Sequence, residues 1–596
     1  MPTWRAALLV STLALGACAA PSSFDGITGG APESPAPVAT TPAPAPTSSG
    51  KATLKEDATV KAPRPISPIS VSFISSKRPR LRWDLGLEGK LTGAVVEMAR
   101  TRDFAKNVKT FQAKGSELAV PQDLDLGVWF WRLKGATTSA YGTTTSPTWE
   151  MVVRGPAAHG SSDMPTRSMV DYNGDGEPDL LVSGTGVDTI ALPTDTLTYL
   201  LFYAGAPDRF FADGPENGGY WDPHGAAYEG PVQIGGGTDF NGDGYTDVIE
   251  SGVAADVDDQ GKRFFCPSLI YSLGPASSAR DGSIDWTQWQ TMSIGPTSAL
   301  PSVREAADVD GDGYGDALIG VPSTSYMVIG AALKPLSAQG EIGPPPALLP
   351  LFPDFAIATS TGTTSRIAMG GFDVNGDGLA DVVFSMSNPS QPSMGALAAA
   401  GDHAYRVGDP KPLDAPIDAT IPATLSSLAT AFAAGDFNGD GIDDLAVTMP
   451  TSDSTRVCLW YGSRDKLVVP GPCVAAPAGD TEFGASLTAA DLEGDGVDEL
   501  LVTAKATDVA GVRVVRIAAS GTASVAPIGI PGLGVRLTTI WPGRPGKARW
   551  AAVAADGSRV GVFEGADLKA NVMPPSPSDP QAYGQGIIRG FGRGLR

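Results

Sequence analysis

The chain is 596 residues long, with 73 Gly, 51 Pro and a formal net charge of −22. A single hydrophobic core rarely grows past about 250–300 residues, so several domains are expected. The acidity argues against nucleic-acid binding, which needs a basic face, and abundant turn residues without sustained helical periodicity predict an all-β chain.

In chain order, Arg5 is followed by the apolar run AALLVSTLALGA, which ends at Cys18. The run is too short to span a bilayer as a permanent helix and reads as a signal peptide over residues 1–17. Leu15-Gly16-Ala17-Cys18 resembles a bacterial lipobox. That resemblance implies cleavage before Cys18, lipidation of Cys18 and attachment to the bacterial cell envelope through the lipid alone. Ala19 in the next position resembles lipoproteins sent to the outer membrane or cell surface. An ordinary secretory signal with an incidental Cys is the alternative. Residues 18–61, rich in Pro, Ala, Ser and Thr, cannot form a core and read as a semi-extended tether.

Over residues 62–154 alternating runs appear, among them ISVSFI, RLRW, AVVEMA, VWFWRLK and WEMVV, with turn residues between them. This is the pattern of a β-sandwich. The stretch resembles a fibronectin type III domain, with RPRLRW in the place of its B strand and GVWFWRLKG in that of its F strand. Trp83, Trp129 and Trp131 are expected in the core; a carbohydrate-stacking platform is the functional alternative.

From residue 155 to 596 one short stretch organises the chain. DYNGDGEPD starts at Asp171, DFNGDGYTD at Asp239, DVDGDGYGD at Asp308, DVNGDGLAD at Asp373, DFNGDGIDD at Asp436 and DLEGDGVDE at Asp491. Each copy puts oxygen-bearing side chains at positions 1, 3, 5 and 9 and Gly at 4 and 6. Calcium takes six to eight oxygens from carboxylates, amides and a backbone carbonyl, and Gly lets the backbone curl. Position 7 varies, as expected if only its carbonyl is used. The candidate ligands are Asp171, Asn173, Asp175, Glu177 and Asp179; Asp239, Asn241, Asp243, Tyr245 and Asp247; Asp308, Asp310, Asp312, Tyr314 and Asp316; Asp373, Asn375, Asp377, Leu379 and Asp381; Asp436, Asn438, Asp440, Ile442 and Asp444; and Asp491, Glu493, Asp495, Val497 and Glu499. Up to six Ca²⁺ ions are expected, against the plain alternative of acidic surface turns. Carboxylates at positions 1, 3, 5 and 9 account for −20 of the charge.

An EF-hand would carry Glu at position 12 and run into a helix. Here short apolar runs follow the loops, such as DLLVSG, DVVFSM and ELLVTA, and they read as buried strands. Loop starts 55–69 residues apart, with several strands per unit, point to propeller blades. After the sixth loop, VRLTTI, ARWAAVAA and RVGVFEG form a further set in which WPGRPGK replaces the acidic loop. The expectation is a seven-bladed β-propeller of four-stranded antiparallel blades behind the sandwich. GQGIIRGFGRG either pairs back to the first blade or hangs free. Cys458 and Cys473 fall on neighbouring strands of one blade, a candidate disulfide in an oxidising envelope.

The unit resembles the FG-GAP (VCBS-type) repeat of integrin α-subunit propellers and bacterial surface proteins. The resemblance rests on the D-x-[DN]-G-D-G-x-x-D loop and the strand after it; of the naming phrases, FG survives at Phe483-Gly484. It implies that ions brace the propeller, with the side chains at positions 1, 3, 5 and 9 as ligands. The sixth loop departs from it through Glu493 and Glu499.

Three functions are open. One is a surface binding or adhesion module for a protein or glycan; another is a purely structural envelope protein. The third is a glycan-active enzyme such as a polysaccharide lyase, for which Tyr245 and Tyr314 are the suggestive residues. With three His and no zinc spacing, no G-x-S-x-G and no phosphate-binding loop, a non-enzymatic role is expected.

Overall fold

The computed structural model describes residues 55–154 except 75 and 87–89, residues 165–187 except 169, and from there to 589 a series of strands and loops. The segment read as a signal peptide, Cys18 and nearly all of the segment read as a tether lie outside the described residues. Every element among the described residues is a strand.

Two sheets form the N-terminal sandwich. Arg64–Ser67, Arg80–Asp84 and Glu117–Ala119 make a three-stranded antiparallel sheet. Opposite it run Lys109–Lys114, Gly93–Ala99, Gly127–Ala136 and Trp149–Val153, antiparallel neighbours in that order. Strand periodicity sends alternate side chains to opposite faces. Trp129, Trp131 and Leu133 therefore meet Leu81 and Trp83 of the other sheet in one core. Trp131 and Trp149 pack edge to face with centroids 5.6 Å apart. The indole of Trp83 donates to the Gly115 carbonyl and that of Trp129 to the Asp125 carbonyl. All three candidate platform residues are thus interior, none more than 2% exposed. Each removes roughly 150–250 Å² from water, about 4–6 kcal/mol at 25 cal/mol per Å².

The sandwich is larger than residues 62–154. Lys55–Glu56, inside the segment read as tether, pairs parallel with Ala140–Tyr141. Ser72–Ile74 adds parallel to Trp149–Val153, and Pro165–Ser168, from the segment read as propeller, pairs with Ser72–Ile74. Edge strands offer unpaired backbone groups, and adjoining chain takes them up.

Among the described residues, seven sheets follow in chain order. In the fifth, Phe432–Gly435, Asp444–Pro450, Thr455–Ser463 and Leu467–Ala475 form an antiparallel meander. Cys458 and Cys473 oppose each other in it and are joined by a disulfide. The strands before the acidic loops pack side by side in series: Gln233–Thr238 on Ser302–Ala307, that strand on Thr364–Phe372, then Phe432–Gly435, Leu487–Ala490 and, in the last sheet, Leu533–Arg544. The last sheet has three strands among the described residues, Leu533–Arg544, Lys547–Ala554 and Val560–Glu564, and its first two strands pair as far as Arg544 and Lys547, where the others carry an acidic loop.

The chain's end returns to its first repeat. Ile588–Arg589 pairs antiparallel with Leu180–Val187, on the side opposite Thr196–Tyr203. The first sheet therefore combines both ends of the repeat region, since the strand before its loop, Pro165–Ser168, has joined the sandwich.

Candidate functional site

Among the described residues, the second to fifth acidic stretches lie between the first and second strands of their sheets, the first between Pro165–Ser168 of the sandwich and Leu180–Val187, and the sixth between Leu487–Ala490 and Glu499–Ala506. In the first loop, Asp171 Oδ1 accepts the N–H groups of Gly174 and Asp175 at 2.6 and 3.2 Å, and Oδ2 that of Gly176 at 2.7 Å. Asp179 Oδ2 accepts from Tyr172 and Asn173, and Asp175 Oδ1 from Glu177. The fifth loop repeats this with Asp436, Asp444 and Asp440. Curling the backbone around the first carboxylate needs φ of +72° and +87° at Gly174 and Gly176, and +76° and +83° at Gly439 and Gly441. Only Gly adopts such angles without strain.

The loops are linked to one another in series. The position-8 N–H of each donates to the position-1 carbonyl of the loop before it: Thr246 to Asp171, Gly315 to Asp239, Ala380 to Asp308, Asp443 to Asp373 and Asp498 to Asp436. Ala548 does the same to Asp491, so the loopless seventh sheet keeps the connection. Position 8 of the first loop is Pro178, which has no N–H to give. The position-8 side chains of Thr246, Asp443 and Asp498 also accept the backbone N–H of the preceding position 1.

Position 7 does more than lend a carbonyl. A Cβ on Gly174 would meet the Tyr245 ring at 2.2 Å, one on Gly242 the Tyr314 ring at 2.6 Å, and one on Gly376 would touch Ile442. Each of these side chains lies on the position-4 Gly of the preceding loop. The guanidinium of Arg102 sits 4.2 Å from the Tyr245 ring centre, and that of Arg64 4.7 Å from Tyr314. Burial pushes the Tyr314 phenol up, the opposite of the shift a phenolate base needs.

The sandwich reaches the loops directly. Arg102 donates to the carbonyls of Gly174 (2.7 Å), Gly244 (2.9 Å) and Thr148 (3.1 Å), and pairs with the buried Glu150 at 3.3 Å. Trp149 Nε1 donates to the Gly242 carbonyl and Ser70 to that of Gly244. Arg64 donates to the Asp312 carbonyl. Phe130 and Val128, on the outer face of their sheet, lie within 3.3 Å of where a Gly176 Cβ would stand. Sequence reading missed these arginines and Glu150: nothing local marks an arginine whose partners lie in another domain. The position-8 acids were visible in DGIDD and DGVDE, but their partners are a whole repeat away.

Crowding and burial govern the electrostatics. Burial, then the neighbouring Asp175 charge, pushes Asp171 up to about 6. Burial pushes Asp243 up to about 6, and burial with the Asp498 charge pushes Asp436 up to about 7. Asp239 and Asp444 rise well above the usual carboxylate range, again by burial first and a neighbouring Asp second. Among the described residues, no three His, Cys, Asp or Glu groups converge as they would around a bound ion. The donor set nevertheless suits a hard cation: all oxygen, buried at positions 1 and 9, and crowding carboxylates together.

The fold and loops define an all-β repeat protein. Residues 436–502, which hold the fifth and sixth loops, match the family model of the FG-GAP-like repeat. No curated protein matches the chain. Among solved structures, a quinonprotein alcohol dehydrogenase-like protein from Bacteroides thetaiotaomicron is similar at a TM-score of 0.32 and 8% identity, covering 89% of this chain and 98% of that one.

Proposed function

We propose that this chain is a calcium-binding module of the bacterial cell surface, held by a lipid on Cys18. In this reading the seven sheets are the blades of one β-propeller, closed through Ile588–Arg589, and the sandwich is fibronectin type III-like. The protein works by binding a surface protein or glycan, not by catalysis. The observation that carries the calcium reading is the state of the loop carboxylates. Asp171, Asp239 and Asp436 are at most 6% exposed and stand beside further carboxylates. A divalent cation removes the repulsion and uses the oxygens at positions 1, 3, 5 and 9 with the position-7 carbonyl. Asp171, Asn173, Asp175 and Asp179 would hold it in the first loop, and the equivalent residues in the others.

Because each loop is bonded to the next, an ion that stiffens one loop stiffens its neighbours. Binding only the folded form stabilises it by about 2.7 kcal/mol per site at a hundredfold excess over Kd. The test is a thermal melt of the metal-stripped protein, titrated with Ca²⁺ or Mg²⁺ while bound metal is counted. A large upward shift selective for calcium, with several ions bound, is expected. No shift and no bound calcium would leave the loops as acidic turns.

A further inference from the structure

The sixth loop carries arginine ion pairs on its acids in addition to the contacts seen in the fifth. Glu493 Oε1 lies 3.1 Å from Arg516 Nη2, and Glu499 Oε1 lies 3.3 Å from Arg516 Nε. One guanidinium thus spans positions 3 and 9 of the loop, the two places where the longer Glu replaces the usual Asn or Asp. Position 1 is met by another. Arg154 Nη2 is 3.6 Å from Asp491 Oδ2 and 2.9 Å from Asp498 Oδ1. The Arg154 side chain is 8% exposed, and those of Asp491 and Asp498 6% and 0%. Of the loop's four ligand positions, only Asp495 is without an arginine, and its Oδ1 accepts the Val497 N–H. Backbone contacts do not set the sixth loop apart, since Asp491 accepts the N–H groups of Gly494, Asp495 and Gly496 and Glu499 that of Leu492, as the corresponding residues of the fifth loop do. Asp436 and Asp444 accept backbone N–H groups, and Asp440 accepts from Ile442 and from the Asn438 amide.

We infer that the sixth loop is an arginine-filled site that binds no calcium, and that Arg154 makes it a permanent latch between the sandwich and the repeats. Arg154 follows directly on the strand Trp149–Val153, and its N–H donates to the Ile74 carbonyl, so its backbone belongs to the sandwich. Its guanidinium belongs to the repeats. A guanidinium offers planar, directed donors and cannot be deprotonated, so it neutralises the loop at any physiological calcium level. The Glu residues fit this role: the extra methylene carries each carboxylate out toward the Arg516 fork. Calcium would then tune the first five loops while the sixth holds the two domains together without it.

This inference rests on the calcium reading of the other loops, and the experiment separates the two. Calcium bound to the full-length protein is counted by equilibrium dialysis for the wild type, Asp440→Asn and Asp495→Asn. Asp440→Asn should lower the count by one and Asp495→Asn should leave it unchanged. A count lowered by one in both would show that the sixth loop is an ordinary calcium site and overturn the inference. If neither lowers it, the calcium reading fails and the inference falls with it. The latch is read by small-angle scattering in chelator. The wild type should keep its radius of gyration and Arg154→Gln should expand; an equally compact Arg154→Gln would remove the latch.

Discussion

Asp443 and Asp373, seventy residues apart, hold each other by two hydrogen bonds: the Asp373 N–H donates to the Asp443 carboxylate at 3.0 Å, and the Asp443 N–H to the Asp373 carbonyl at 3.1 Å. Both residues are buried. The pair joins the fourth loop to the fifth through backbone and side chain together, and Asp498 repeats the arrangement on Asp436. Asp443 stands at position 8, outside the proposed ligand set, so its expected role is the link between loops. Asp443→Ala should destabilise the protein by about 1–3 kcal/mol, the cost of a buried N–H left without its charged acceptor. The loss, measured by chemical denaturation, should be about the same with calcium and with chelator. A loss seen only in calcium would make Asp443 part of a metal site.

Asp243→Asn should behave in the opposite way. Asp243 Oδ1 accepts the Tyr245 N–H at 3.0 Å and Oδ2 faces the Asn241 amide, so an Asn side chain keeps an acceptor for the backbone while removing the charge. Without metal the variant should melt at or above the wild-type temperature, because a crowded carboxylate has gone. With saturating calcium it should melt below the wild type, by roughly the 2–3 kcal/mol that one site contributes. Melting curves in both conditions give the sign directly. A decrease without metal would show that the charge is already compensated within the protein.

Much of this was legible in the sequence, and the rest fails for a physical reason. The loops could be read because Gly174 and Gly176 need positive φ and Asp171 needs to reach three nearby N–H groups; both demands are local. The strands after the loops could be read from apolar runs such as DLLVSG. The return of Ile588–Arg589 to the first repeat was one of two readings left open, since two residues carry no pattern of their own. The links through Thr246, Asp443 and Asp498, and the seating of Tyr245 on Gly174, join residues a whole repeat apart. A variable position 7 looked unconstrained only because its contact lies in another repeat. The docking of the sandwich through Arg64, Arg102 and Arg154 gave no local sign at all.

The raised carboxylates set the pH dependence of the metal-free protein. Asp171 and Asp243 stand at about 6, and Asp436 at about 7. These lie above the ordinary Asp value near 3.9 of an unfolded chain. The folded state therefore holds more protons than the unfolded state between about pH 4 and 7, so stability falls as pH rises through that window. Metal-stripped protein should melt highest near pH 4–5 and progressively lower toward pH 7–8. Saturating calcium should reverse the slope, because ligand carboxylates must be deprotonated to bind. Scans across this range with and without calcium test both signs. A metal-free protein that gains stability toward pH 8 would mean these acids are not held above their usual range.

Arg102 is the residue on which the sandwich and the first two loops converge. It donates to the carbonyls of Gly174 and Gly244, stacks on Tyr245 and faces Glu150, whose side chain is fully buried. Burial first, then the Asp171 charge, holds Glu150 well above the usual range, while Arg102 pulls it down. Arg102→Ala removes that counter-charge and the donor shared by the Gly174, Gly244 and Thr148 carbonyls, at a cost of roughly 3 kcal/mol. Arg102→Lys should rescue little, since one ammonium cannot serve three divergent acceptors as a planar fork does. Calorimetry should show one cooperative transition in the wild type in calcium, and a separate, earlier transition for the sandwich in Arg102→Ala. A single transition merely shifted to lower temperature would mean that the other contacts, through Trp149, Ser70 and Arg154, suffice to keep the two parts one cooperative unit.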